Sequence, residues 1–139
     1  AATAGNHGAA TAGNHGAATA GNHGAATAGN HGAATAGNHG AATAGDCGAA
    51  TAGDCGAATA GDYGAATARG KALTGSNGLS VARGKNVQVK GGIGAILVIA
   101  EERDNTYDIV DWKAVVVDGE VVKADTWYRL ENGELVEVD

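Results

Sequence analysis

The chain has 139 residues, with 25 Gly, no Pro, no Met and no Phe, and a formal net charge of −6. Small Ala supplies most of its apolar content, so the first half cannot build a core of large side chains and must rely on stacked, hydrogen-bonded backbone units. No apolar run approaches the roughly 18 residues of a spanning helix, and no signal-peptide pattern opens the chain. No membrane partner is therefore expected. The missing initial Met is read as a trimmed start.

Charge is segregated along the chain. Residues 1–64 carry three acids and no base, residues 65–90 five bases and no acid, and residues 91–139 four bases and twelve acids. The five bases are Arg69, Lys71, Arg83, Lys85 and Lys90. Without stacking aromatics beside them they read as solvated turns, and no nucleic acid is expected as a partner.

From Ala1 the octad Ala-Ala-Thr-Ala-Gly-Asn-His-Gly runs five times to Gly40. Two copies ending Gly-Asp-Cys-Gly and one ending Gly-Asp-Tyr-Gly follow, and a ninth breaks at Arg69. A helix would carry two glycines per octad at about 1 kcal/mol each, and a flexible linker has no need of strict phase. The period instead predicts an all-β solenoid, a β-helix or β-roll of octapeptide repeats. Ala-Ala-Thr-Ala is the strand, with Ala2 and Ala4 on one side and Ala1 and Thr3 on the other. Gly-Asn-His-Gly is the corner, where Gly and Asn are expected to take the positive φ of a tight turn. Two octads would close one coil. A triangular coil of three octads, and three chains wound together with one octad per side, are the other closures, so self-association as a trimer stands beside a monomer.

The seventh octad position reads His7, His15, His23, His31, His39, Cys47, Cys55 and Tyr63. With two octads per coil it divides into one edge of His7, His23, His39 and Cys55 and another of His15, His31, Cys47 and Tyr63. Neighbours on an edge would stand about 4.8 Å apart. Imidazole and thiolate suit Zn, Ni and Cu, so His7, His15, His23, His31, His39, Cys47 and Cys55 are the candidate metal ligands, although no cofactor is required. A file is not a tetrahedral cage: two neighbours plus water, or ligands from another chain, fit better. Stacked imidazoles repel when protonated, so stability is expected to fall in acid. Cys47 and Cys55 fall on opposite edges and are expected to remain free thiols. A Cys–His nucleophile pair would need an oriented His and a pocket, and the pattern offers neither, so no enzyme and no catalytic residue are expected. The file of Thr from Thr3 to Thr67 suggests an alternative, an ice-binding or purely structural β-helix.

Three segments follow: residues 1–68 form the repeat solenoid, 69–94 terminal coils of transition, and 95–139 an antiparallel meander that caps it. In the second, Leu73, Leu79, Val81, Val87 and Val89 replace Ala, as an end that must cover an exposed edge requires. In the third, Ile96 to Ile99, Ile109 to Val117, Val121-Val122, Thr126 to Leu130 and Leu135 to Val138 are predicted strands. Asp104-Asn105-Thr106, Asp118-Gly119 and Glu131-Asn132-Gly133 are the turns between them.

Asp118-Gly119, Asp125-Thr126-Trp127-Tyr128-Arg129-Leu130, Asn132-Gly133-Glu134 and Val136-Glu137-Val138 resemble the C-terminal region of a family of uncharacterised bacteriophage and prophage proteins. Those proteins carry Ala/Thr/Gly octapeptide repeats before that region, and Lys90 to Val98 is similar too. Ala124 departs from the family's usual Pro. The resemblance implies a phage-encoded β-structure with no established activity, and it transfers no catalytic residue. The five identical copies are more uniform than drift leaves, which suggests an engineered or consensus-edited version.

Overall fold

The computed structural model describes residues 1–103 and 106–138, and among them every regular element is a strand. The octads supply β1 (Ala2–Thr3), β2 (Ala9–Thr11), β3 (Ala17–Thr19), β4 (Ala25–Thr27), β5 (Ala33–Ala36), β6 (Ala41–Thr43) and β7 (Ala49–Thr59). β8 (Ala65–Leu73), β9 (Leu79–Gly84), β10 (Gln88–Lys90) and β11 (Ile96–Glu102) complete the coils. β12 (Ile109–Val116), β13 (Tyr128–Glu131) and β14 (Glu134–Glu137) close the C-terminal end.

Alternate octads stack. Ala2 pairs with Ala18, Ala18 with Ala34 and Ala34 with Ala50 along one face, all parallel. Ala10, Ala26, Ala42 and Ala58 pair in the same way along the other. Corner partners lie 16 residues apart. The coil is therefore two octads, and the triangular closure of three octads does not describe it. The molecule is a β-solenoid of about six turns. β7 and β8 each run through a corner from one face to the other, which joins the two faces at the Asp54–Arg69 pair.

Alternation along the short strands decides what is inside. The Ala at the second and fourth positions are buried from the third octad on, as with Ala18 at 1% and Ala20 at 4% exposure, whereas the first Ala and the Thr face outward. Only methyl groups fill this part of the core, and little apolar area is buried per residue. The parallel ladders and the corner hydrogen bonds hold what the core cannot.

The corner departs from expectation. Neither Gly nor Asn takes the positive φ there; the seventh residue does, with φ of 60° at His7, 57° at Cys47 and 59° at Tyr63. The Asn side chain is otherwise occupied: Asn6 Oδ1 accepts the backbone N–H of Asn22 at 3.0 Å, and Asn22 Oδ1 that of Asn38 at 3.0 Å. Asp46 serves Asp62 likewise at 3.0 Å, and Asp62 serves Ser76 at 2.8 Å. The glycines answer to close approach between coils. A Cβ on Gly24 would stand 2.7 Å from the Gly8 carbonyl oxygen and 3.0 Å from the Ala20 methyl.

Beyond Ala68 the corner shrinks to Arg69-Gly70, and Ala65 pairs with Leu79 across a shorter coil. Large side chains then enter: Val87, Val89, Leu97, Ile99 and Val117 are almost fully buried. Thr74 and Ser80 are buried among them and satisfy each other through hydroxyls 2.9 Å apart, with Ser80 also donating to the Lys90 carbonyl at 2.8 Å. The antiparallel end is divided between the faces rather than laid out as one meander. β12 pairs with β11 on the first face, while β13 pairs with β10 and β14 on the second.

The Glu131-Asn132-Gly133 hairpin forms as expected, with Asn132 at φ 51° and Gly133 at φ 80°. Val121-Val122 is not a strand. Asp118 draws that segment into a turn, because its Oδ1 accepts the N–H groups of Glu120 at 2.9 Å and Val122 at 3.1 Å. These donors hold its carboxyl below the ordinary range. Asp104 and Asn105 of the expected turn lie outside the described residues.

Candidate functional site

The two edges of the solenoid carry the chemistry-bearing residues. On each corner the backbone N–H of the seventh residue donates to a carbonyl of the next coil, as from His7 to Asn22 at 2.8 Å and from His39 to Asp54 at 2.7 Å. Successive corners are thereby fixed one above another in the same left-handed conformation, and their side chains leave the backbone in the same direction. The division into two edges follows the expectation: His7 stacks on His23 and His23 on His39, while His15 stacks on His31. Ring centroids are 4.9, 5.0 and 5.0 Å apart and the planes lie within 5° of parallel. All five rings are exposed.

Cys55 continues the first edge and Cys47 the second; both thiols are free and exposed. Tyr63 follows Cys47 and is 67% exposed. Among the described residues, no three His, Cys, Asp or Glu groups converge as a metal cage would require. Rings related by translation along the axis keep their nitrogens as far apart as their centroids. Two Zn–N bonds reach at most about 4.2 Å end to end, which is less than the 4.9 Å between His7 and His23. Two neighbours on one edge can share an ion only if the rings lean toward each other, and their exposure leaves room for that.

A second concentration of polar chemistry lies beside the shortened corner. Glu102 is 5% exposed yet charged, because Arg69 grips both carboxylate oxygens and Arg83 donates to Oε2 at 2.8 Å. The hydrogen bond from Arg69, aided by Arg83, holds the Glu102 carboxyl below its ordinary range, and the same contact holds the Arg69 guanidinium above its own. Arg69 also pairs with Asp54 and lies 5.4 Å from the centre of the Tyr107 ring. The missing two residues of the corner leave a cavity of about 370 Å³ lined by Cys55, Arg69, Lys85, Glu102 and Tyr107 among others. Its carboxylates are committed to arginines, and the histidines all lie at or before residue 39, so Cys55 has no imidazole within the cavity wall.

Sequence reasoning missed this cluster. Arg69 and Glu102 are 33 residues apart, and no period links them. The Asn/Asp ladder left a clearer trace, since the sixth position of every complete octad carries a short side chain with an acceptor oxygen. Among the described residues no helix is long and apolar enough to cross a membrane. No protein-family model, no curated protein and no solved structure matches the chain.

Proposed function

We propose that the chain is a structural repeat scaffold rather than an enzyme, and that its edges bind transition-metal ions through files of imidazole. The observation that carries this reading is the parallel stacking of His7, His23 and His39 at 4.9 and 5.0 Å. Each exposed ring presents a nitrogen to solvent beside a second donor of the same kind, and Zn²⁺, Ni²⁺ and Cu²⁺ favour imidazole. Cys47 and Cys55 extend the files with softer donors. The basic stretch supports no nucleic-acid partner: Arg69 and Arg83 are committed to Glu102, and Lys71 and Lys90 lie over the Trp127 ring at 5.6 and 5.5 Å. The likeness of Lys90 to Val98 and of Asp125 to Val138 to phage proteins supports a phage-derived origin.

Calorimetric titration with Ni²⁺ tests the proposal. The full chain should take up the ion, and a variant with all five His changed to Asn should not. Asn suits the left-handed corner, as Asn77 already occupies it at φ 58°, so the variant should keep its strand circular dichroism. Equal uptake by both chains would sink the imidazole reading.

A second reading rests on the outward Thr. Thr3, Thr19, Thr35, Thr51 and Thr67 form one in-register file on the first face, separated by about 4.8 Å per coil. With the outward Ala beside them they make a flat array of hydroxyls and methyls suited to ordering water at an ice surface. Freezing-point hysteresis in metal-free buffer, lost when Thr19 and Thr35 become Lys, would favour this reading.

A further inference from the structure

The number of donors on each edge points beyond a single chain. Resting on the metal-binding reading, we infer that an ion held by the His7–His23–His39 edge lies between two copies of this chain brought edge to edge. Zn²⁺ seeks about four ligands at roughly 2.0–2.1 Å. One edge offers an ion a single imidazole as the rings stand, or two after both lean, because the rings are 4.9 and 5.0 Å apart. Among the described residues no third His, Cys, Asp or Glu completes such a group within the chain. A facing edge supplies the missing donors. An ion between two files takes one ring from each without any lean, and a second from each once neighbours tilt inward. The site is incomplete without the second copy.

Three features make another copy of this chain the fitting partner. Both files have the same spacing, so in an antiparallel approach His23 meets His23 of the second copy, and His7 meets its His39. Residues 1–45 carry no Asp, Glu, Lys or Arg, so the two edges bring no like-charged carboxylates, ammonium groups or guanidiniums together before the ion arrives. The antiparallel approach also sends the two C-terminal ends, with their twelve acids after residue 90, in opposite directions away from the contact. The His15–His31 edge has the same 5.0 Å spacing with one ring fewer. A chain with two such edges can link to a partner on each side, so the wild type should grow past the dimer.

Light scattering of the full chain during Zn²⁺ addition, followed by chelator, tests this. The wild type should rise to at least twice its 13.4 kDa mass and return on chelation. A variant carrying His15→Asn, His31→Asn and Cys47→Ser should stop at the dimer, and one with all five His changed to Asn and both Cys to Ser should stay a monomer. Calorimetry on the same samples separates the two readings. Zn²⁺ uptake without a mass change overturns the shared site and leaves metal binding standing. Neither uptake nor mass change overturns both. A mass increase that persists in the variant lacking all seven ligands also overturns the shared site, since other groups would then be responsible.

Discussion

At the corners one residue carries strain so that its neighbour can carry a hydrogen bond. The sixth position spends its acceptor oxygen on the next coil, as Asn14 does for Asn30 at 3.0 Å, and the positive φ falls to the seventh. His tolerates that conformation better than most residues, whereas bulky aromatic residues adopt it rarely. Tyr63 at φ 59° is therefore the least suited occupant of the series. Tyr63→Asn should raise stability by about 0.5–1 kcal/mol, read as a higher denaturant midpoint at unchanged slope. The final glycine of the octad is constrained differently. A Cβ at Gly40 would stand 2.8 Å from the Gly24 carbonyl oxygen and 3.0 Å from the Ala36 methyl. That oxygen accepts from Ala41 at 3.0 Å and cannot retreat without weakening the ladder. Gly40→Ala should cost about 2 kcal/mol, and a midpoint equal to that of the wild type would refute the close-approach account.

At the scale of the elements, β11 is tied to two corners through Glu102, whose side chain is 2% exposed against 33% for Arg69 and 48% for Arg83. Glu102→Gln removes the carboxylate that both guanidiniums share, although Arg69 keeps its pair with Asp54. The loss should be about 2 kcal/mol, short of the figure for a fully enclosed pair because both arginines still meet water. The pH dependence follows from the lowered carboxyl. Glu102 ionises more readily folded than unfolded, so its contribution is complete above the ordinary glutamate value of 4.5 and fades as pH falls through the lower folded value. The difference in stability between wild type and Glu102→Gln, followed by urea melts, should be constant from pH 7 to about pH 5 and narrow below the ordinary value. This tie was illegible in the sequence, since only folding brings Arg69, Arg83 and Glu102 together. The coil was legible, because a strict octad allows few closures and alternation assigns Ala2 and Ala4 to one side. Alternation alone did not say which side faced in. Val121-Val122 misled because an apolar pair beside Asp-Gly looks like a strand after a hairpin, whereas the Asp118 carboxylate competes for the same backbone donors.

Across the whole molecule, the large buried side chains lie at one end. Val87, Val89, Leu97, Ile99 and Val117 are each at most 1% exposed, whereas the coils before Ala68 bury only Ala. In a solenoid each coil draws its stability from itself and its neighbours, so stability should be graded from the C-terminal end toward the first coil. There Ala2, Ala4 and Ala12 are only partly buried. Amide exchange should follow that gradient, with the slowest protons in β11 and progressively faster ones toward β1. Truncation makes the same contrast sharper. Removing residues 1–32 takes away two whole coils and leaves the remaining ladders in register, so residues 33–139 should keep a cooperative melt. Removing residues 96–139 exposes the edges of β9 and β10 and takes Leu97, Ile99 and Val117 away from Val87 and Val89, so residues 1–95 should lose their strand signal or aggregate through those edges. A truncated 1–95 chain that melts as cooperatively as 33–139 would mean that the Ala coils sustain themselves, and that the C-terminal strands merely cover an edge.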